Sequence, residues 1–130
     1  MMHKQLLAPE RARQLPRQFS WIDQQLVRGG HLDRCAHTAW ALYLFLVTVA
    51  DAQGLSYYSD AAVLRWVKLE PATLGTAREQ LIAAGLLAYR RPLYQLLALP
   101  RRGEALRPGA RGGEVRSVGE LLRQLVGGAA

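Results

Sequence analysis

The strongest hydrophobic pattern lies in the middle of the chain, where residues 39–50 are apolar except for Thr48. These positions are apolar nearly all the way round a helix, so the pattern predicts a helix over about 38–51 that is buried on several sides. The run covers twelve residues, whereas a membrane-spanning helix needs about 20. The pattern therefore favours a core helix and no membrane partner.

A shorter helix is predicted before it. Ser20 can cap a helix that has Asp23 three residues later. Ile22 and Leu26 then share one face at a spacing of four residues. Gly29-Gly30 ends the helix, because glycine tolerates the left-handed turn that commonly closes one.

The pattern after the central helix predicts a strand and then a helix. Residues 55–58, Leu-Ser-Tyr-Tyr, combine a short length with aromatic side chains that suit a pleated surface. Ser59 or Asp60 can then cap a helix that runs through Lys68. Apolar residues recur along that segment at helical spacing.

A further helix is predicted from about Pro71 to Ala84. Proline fits the first turn of a helix, where its missing N–H has no partner to lose. Leu74, Ala77 and Leu81 are expected to face the core. Gly85 is the predicted stop.

Beyond Gly85 the period changes from helical to extended. Residues 86–89 form one short apolar run, and residues 93–99 form a second that Pro100 closes. The polar, proline-containing turn Arg90-Arg91-Pro92 separates them, which is typical of a β-hairpin. The fold class expected is α+β and mostly helical.

The two ends differ from this middle. Residues 1–18 show little periodicity and are predicted to be a flexible basic arm before a domain at 19–100. Residues 101–114 are rich in Arg, Gly and Pro and are predicted to be a linker. Residues 115–130 are predicted to be a short amphipathic helix and tail, with Ser117 and Glu120 at capping-box spacing. The apolar stripe of that helix consists of Val118, Leu121, Leu122 and Leu125.

A helix of this length is not stable alone in water, so the stripe must be buried somewhere. Either it docks on its own domain, or helices from two chains pack together. Because two-fold dimers are the commonest soluble oligomers, we expect the stripe to mediate a homodimer.

The charge of the chain is concentrated at its ends. The net charge is +7 over 130 residues. Residues 19–85 are nearly neutral, while both flanks are basic and rich in arginine. Arginine binds phosphate with two donors at once. A polyanionic partner, most often nucleic acid, is therefore favoured over a merely solvated basic surface.

At this point a family resemblance becomes specific. The segment SYYSDAAVLRWVKLEPATLGTAREQLIAAGLLAYRRPLYQLLALP resembles the winged helix of MarR-type regulators and of bacterial primosome or plasmid replication-initiator proteins. The matching positions are Ser59, Leu69, Thr73-Leu74, Leu81 and Ala84–Leu87. The upstream segment FSWIDQQLV…HTAWALYLFLVTVAD is similar to the leading helices of that domain.

The resemblance implies a winged helix-turn-helix with a short β-hairpin wing and an extra C-terminal helix. It also implies a protein that binds double-stranded DNA, either a transcriptional regulator or an accessory factor of replication or of a mobile element. The alternative is a winged helix that contacts a replication or transposition protein.

The DNA contacts that this reading predicts fall into two groups. The predicted recognition helix offers Thr73, Thr76, Arg78 and Gln80, and the wing region offers Arg90, Arg91, Arg101 and Arg102. Glu79 would repel phosphate, and few helix side chains suit base edges. Contact with the DNA backbone and modest base reading are therefore expected.

Other chemistry is not supported. His31, Asp33, Cys35 and His37 could bind zinc by residue type, but no second ligand pair accompanies them. No glycine-rich phosphate loop and no paired carboxylates occur at a suitable spacing. We therefore expect a non-enzyme without metal or cofactor. The single cysteine and the absence of a signal-peptide pattern favour the cytoplasm.

Overall fold

A computed structural model describes residues 4–100, and the α+β class is confirmed there. The described part has four helices and one antiparallel sheet of three strands. The elements are α1 (Gln25–Arg28), α2 (His37–Val49), β1 (Leu55–Tyr57), α3 (Asp60–Trp66), α4 (Pro71–Ala83), β2 (Leu87–Arg90) and β3 (Leu93–Leu96), with single 3-10 turns at Pro9–Arg11 and Leu32–Arg34. The predicted linker and C-terminal helix lie outside the described residues.

The helix predicted from Ser20 is mostly wrong. Only Gln25–Arg28 is α-helical, and the Ser20 hydroxyl donates to the Thr48 carbonyl at 3.2 Å and caps nothing. Asp23 does accept a hydrogen bond from the Gln25 N–H, at 2.8 Å. Residues 19–23 instead cross the end of α2, a long-range contact that the local spacing of apolar residues did not reveal.

The central helix α2 forms close to its predicted bounds. Its inward side buries Ala39, Leu42, Tyr43, Leu46 and Val47, and it packs mainly against α4. The expectation of burial on several sides is wrong at Leu44, whose surface is 57% exposed. None of the helices in residues 4–100 has the length and apolar character to cross a membrane.

The start of α3 and both ends of α4 lie where the Ser59, Pro71 and Gly85 signals predict them. The Ser59 hydroxyl accepts from the Ala62 N–H at 3.1 Å and so caps α3. Pro71 occupies the first turn of α4. On α4, Leu74, Ala77 and Leu81 are completely buried, as predicted. Gly85 closes this helix with a φ of +76°, in the left-handed region.

The sheet has the strand order β1-β3-β2, with all pairs antiparallel. The hairpin turn is only Arg91-Pro92, since Arg90 still pairs with Leu93. The return strand β3 ends at Leu96, whereas the sequence predicts that it continues to Leu99. Two further backbone hydrogen bonds form at the end of β3. The Leu96 N–H donates to the Gly54 carbonyl at 2.9 Å, and the Leu97 N–H donates to the Leu86 carbonyl at 3.0 Å.

Candidate nucleic-acid interface

The outer face of α4 carries short side chains. Ala72, Thr76 and Glu79 are exposed, while Thr73 is half-buried. The Thr76 hydroxyl donates to the Ala72 carbonyl at 3.2 Å, which holds it against its own helix. This face therefore offers two threonines and one carboxylate, and a flat surface that another molecule can approach closely.

Arg78 does not belong to that face. Its Nη1 lies 2.9 Å from Asp60 Oδ1 and 2.8 Å from the Tyr94 hydroxyl oxygen, and its Nη2 lies 3.4 Å from Asp60 Oδ2. The guanidinium carbon also sits 4.4 Å from the centre of the Tyr89 ring, a cation–π distance. Arg78 thus links α4 to the start of α3 and to two strands of the sheet.

The surroundings of Arg78 keep it charged. Burial by itself lowers the pKa of Arg78, but hydrogen bonds to Asp60 and to Tyr94 outweigh that effect, so the net pKa is raised. Burial raises the pKa of the Tyr94 hydroxyl, which the contact with Arg78 partly offsets. Because its donors point to Asp60 and Tyr94, Arg78 links elements of the fold and does not face outward.

Gln80 is also engaged inside the protein. Its side-chain oxygen accepts a hydrogen bond from the Ala36 N–H at 2.7 Å, just before α2 begins. Its backbone carbonyl accepts one from the Cys35 thiol at 3.6 Å. These contacts tie α4 to the start of α2. The expectation that Gln80 faces outward therefore differs from the structure, because helical position alone did not show which element packs beside it.

The hairpin turn presents two arginines that form no ion pair within residues 4–100. Arg90 ends β2, Arg91 begins the turn, and both are exposed. The Tyr58 N–H donates to the Pro92 carbonyl at 3.1 Å, which fixes the turn against the end of β1. This hydrogen bond holds Arg90 and Arg91 at the turn of the hairpin, next to the end of β1.

One exposed aromatic residue joins this cluster. Tyr57 pairs with Leu93 on one side of β3, and Arg90 pairs with Leu93 on the other. Directly paired residues point to the same face of a sheet, so these three side chains form one row. The Tyr57 surface is 70% exposed. Only the strand register distinguishes Tyr57 from Tyr94, which is completely buried.

The remaining predicted contacts are not brought into this surface. Arg101 and Arg102 lie outside the described residues, as do the stripe residues Val118, Leu121, Leu122 and Leu125. Two candidate surfaces remain among the described residues: the outer face of α4 and the row at the hairpin turn.

The four residues that could bind zinc by type differ in exposure: His31 is buried, Cys35 is half-buried, and Asp33 and His37 are exposed. His31 is buried, and burial, followed by the nearby Arg34 charge, lowers the pKa of His31. Burial likewise raises the pKa of the Cys35 thiol, which disfavours the thiolate. Within residues 4–100, no group of three or more His, Cys, Asp or Glu side chains is placed to hold a metal ion.

Comparison of the chain with family models, with curated proteins and with solved structures finds no match. Inference about function therefore rests on the geometry of the residues described above.

Proposed function

We propose that this protein is a winged helix-turn-helix protein that binds double-stranded DNA, with α4 as the recognition helix and the β2–β3 hairpin as the wing. The observation that carries the proposal is the exposed Arg90-Arg91 pair on a hairpin adjoining a helix–strand–helix–helix–hairpin core. That order is the one expected for the winged helix, with β1 pairing on the return strand of the hairpin.

The role of α4 follows from its size and its exposed face. A helix fits the major groove of B-DNA, which is about 12 Å wide. The short side chains Ala72, Thr73 and Thr76 allow the helix to lie close to the groove floor. They offer few groups for base edges, so sequence discrimination is modest and backbone contacts supply most of the affinity.

The wing supplies the electrostatic part of binding. Arg90 and Arg91 are exposed and have no carboxylate within ion-pair distance among the described residues, so their donors are available for phosphate oxygens. Tyr57 lies in the same row as Arg90 and presents a ring that can pack on a sugar or a base. A cationic edge beside an exposed ring suits a nucleic-acid backbone. A transcriptional regulator or an accessory factor of replication or of a mobile element would use such a domain.

The test is a salt titration of binding to random duplex DNA. Replacing Arg90 and Arg91 together by Gln should weaken binding similarly for all sequences and reduce the slope of log K against log salt by about two. Arg91→Gln alone should reduce it by about one. Arg28→Gln, an exposed arginine on α1, is the matched control and should leave the slope unchanged. A double variant that binds with the parent slope would remove the wing from the interface.

One observation favours a second function, contact with another protein. Trp66 ends α3 with 69% of its surface exposed, and the nearby outer face of α4 carries Glu79 and no free cation among the described residues. Aromatic anchors of this kind are enriched at protein interfaces. The same titration distinguishes the two functions, because a module that contacts proteins would bind duplex DNA only weakly at about 0.15 M salt.

A further inference from the structure

An open groove lies at the opposite end of α2 from its contact with Gln80. It has a volume of about 680 Å³. The segment Phe19–Asp23 forms one wall and the segment Leu96–Leu99 forms the other. Tyr43 and Val47 of α2 and residues 50–54, which include Asp51 and Gln53, complete a lining that is partly polar. The groove is thus formed where the chain enters and leaves the domain.

The first wall is apolar and uncovered. Phe19, Trp21 and Ile22 have 59%, 76% and 46% of their surfaces exposed. All three residues line the groove, and large apolar residues exposed together mark binding sites more than scattered ones do. The Ser20 hydroxyl bond to the Thr48 carbonyl fixes this wall against α2.

The position of the other wall indicates what covers the patch. Leu97 and Leu99 line the groove, and Pro100 is the last described residue. The rest of the chain therefore starts at the groove. Residues 117–126 carry the predicted stripe Val118, Leu121, Leu122 and Leu125, so the sequence supplies an apolar face that needs a partner.

The connection between the groove and the stripe segment is long enough for the two to meet within one chain. Sixteen residues, 101–116, separate the groove from the stripe segment. Sixteen residues can span at most roughly 55 Å, which is enough for the chain to return to the wall beside Pro100. A short tether also gives an effective concentration on the order of millimolar, well above that of a second copy in dilute solution.

We propose that residues 117–126 bind in this groove of their own chain, with the stripe covering the Phe19–Ile22 wall. Apolar helix faces commonly bind apolar grooves in this way. The inference does not depend on DNA binding, and it favours docking on the same chain over the two-chain packing that the sequence alone leads one to expect.

Disulfide trapping in the full chain tests the proposal. In a Cys35→Ser background, Ile22→Cys and Leu122→Cys are combined and oxidised, and the products are followed by non-reducing electrophoresis. The control pairs Leu122→Cys with Trp66→Cys, since Trp66 is exposed but does not line the groove. We expect a monomeric, internally linked product that forms at least tenfold faster for the Ile22 pair than for the control pair.

Two outcomes would overturn the proposal. Equal rates for both pairs would mean that residue 122 samples the surface without binding the groove, and a linked dimer through Ile22 and Leu122 would make a second copy the occupant. A second measurement avoids the cysteine variants. Leu122→Glu in the natural chain should increase acrylamide quenching of tryptophan fluorescence, and the increase should vanish when Trp21→Phe is added; unchanged quenching would also count against the groove.

Discussion

Arg78 Nη1 lies 2.9 Å from Asp60 Oδ1, and this contact joins the middle of α4 to the first residue of α3. The Arg78 side chain is 13% exposed, whereas that of Asp60 is 48% exposed, so the pair sits at the edge of the core. The same guanidinium also holds the Tyr94 hydroxyl. Arg78 therefore links α4 to the start of α3 and, through Tyr94, to β3.

Replacing Arg78 by Gln should destabilise the fold. It removes charge-assisted hydrogen bonds and leaves the buried Tyr94 hydroxyl without its partner, which costs about 1–3 kcal/mol in the free energy of unfolding. Urea denaturation measures this, with Arg90→Gln as the control because Arg90 is exposed and should change stability by less than about 0.5 kcal/mol. Equal losses for the two variants would contradict the structural role of Arg78.

The two leucines Leu42 and Leu44 on α2 should respond differently to truncation. Leu42 is completely buried, so Leu42→Ala should cost about 2–5 kcal/mol by lost burial and cavity formation. Leu44 is largely exposed, so Leu44→Ala should cost less than about 1 kcal/mol. Chemical denaturation of the two variants side by side checks this. A large loss for Leu44→Ala would mean that another surface covers it.

His31 should contribute to a loss of stability in mild acid. Its pKa is lowered in the folded state, chiefly by burial, so the unfolded chain binds the proton more readily as the pH falls through about 6.5. The Arg34 charge adds to this effect, and the Asp23 charge opposes it. Because stability rises with pH wherever the unfolded state binds more protons, the free energy of unfolding should be lower at pH 5.5 than at pH 7.5.

The contribution of His31 can be isolated by substitution. His31→Gln should show a smaller difference in unfolding free energy between the two pH values than the parent does. His37→Gln is the matched control, since His37 is exposed. Denaturant titrations at both pH values supply the comparison, and identical differences in the parent and in His31→Gln would exclude His31 as the source.

Glu79 should oppose DNA binding if α4 faces the duplex. The carboxylate is exposed on the outer side of α4, close to where phosphates would lie. Removing one such repulsion gains up to about 1 kcal/mol, so Glu79→Gln should bind duplex DNA up to about fivefold more tightly at low salt. Asp33→Asn, an exposed carboxylate on another element, serves as the control. Unaltered affinity for Glu79→Gln would place the interface elsewhere on the molecule.

Much of the local structure could be predicted from the sequence because its signals act between near neighbours. The Ser59 cap, Pro71 in a first helical turn and Gly85 at a helix end each depend on a few adjacent backbone groups. The inward residues of α4 follow from helical period alone. The same local reasoning was wrong for Ser20, because that hydroxyl bonds to Thr48, 28 residues away.

The candidate site was less predictable for the same reason. The sequence assigns Arg78 and Gln80 to the DNA contacts of the predicted recognition helix, yet both bind neighbours that lie far along the chain. The carboxylate that Arg78 binds belongs to Asp60, and only the packing of α3 beside α4 brings it within reach. Tyr57 became part of the site only through strand register.

The sequence by itself determined the α+β class, the approximate bounds of α2, α3 and α4, the hairpin and the basic character of both ends, because hydrophobic period, capping and charge are properties of neighbouring residues. Within residues 4–100, the tertiary structure decided which arginines are exposed without an ion pair, that Tyr57 is exposed while Tyr94 is buried, and where the groove beside Phe19–Asp23 opens. Those properties depend on contacts between distant segments, since burial, ion pairing and shared sheet faces arise only when the chain has packed against itself.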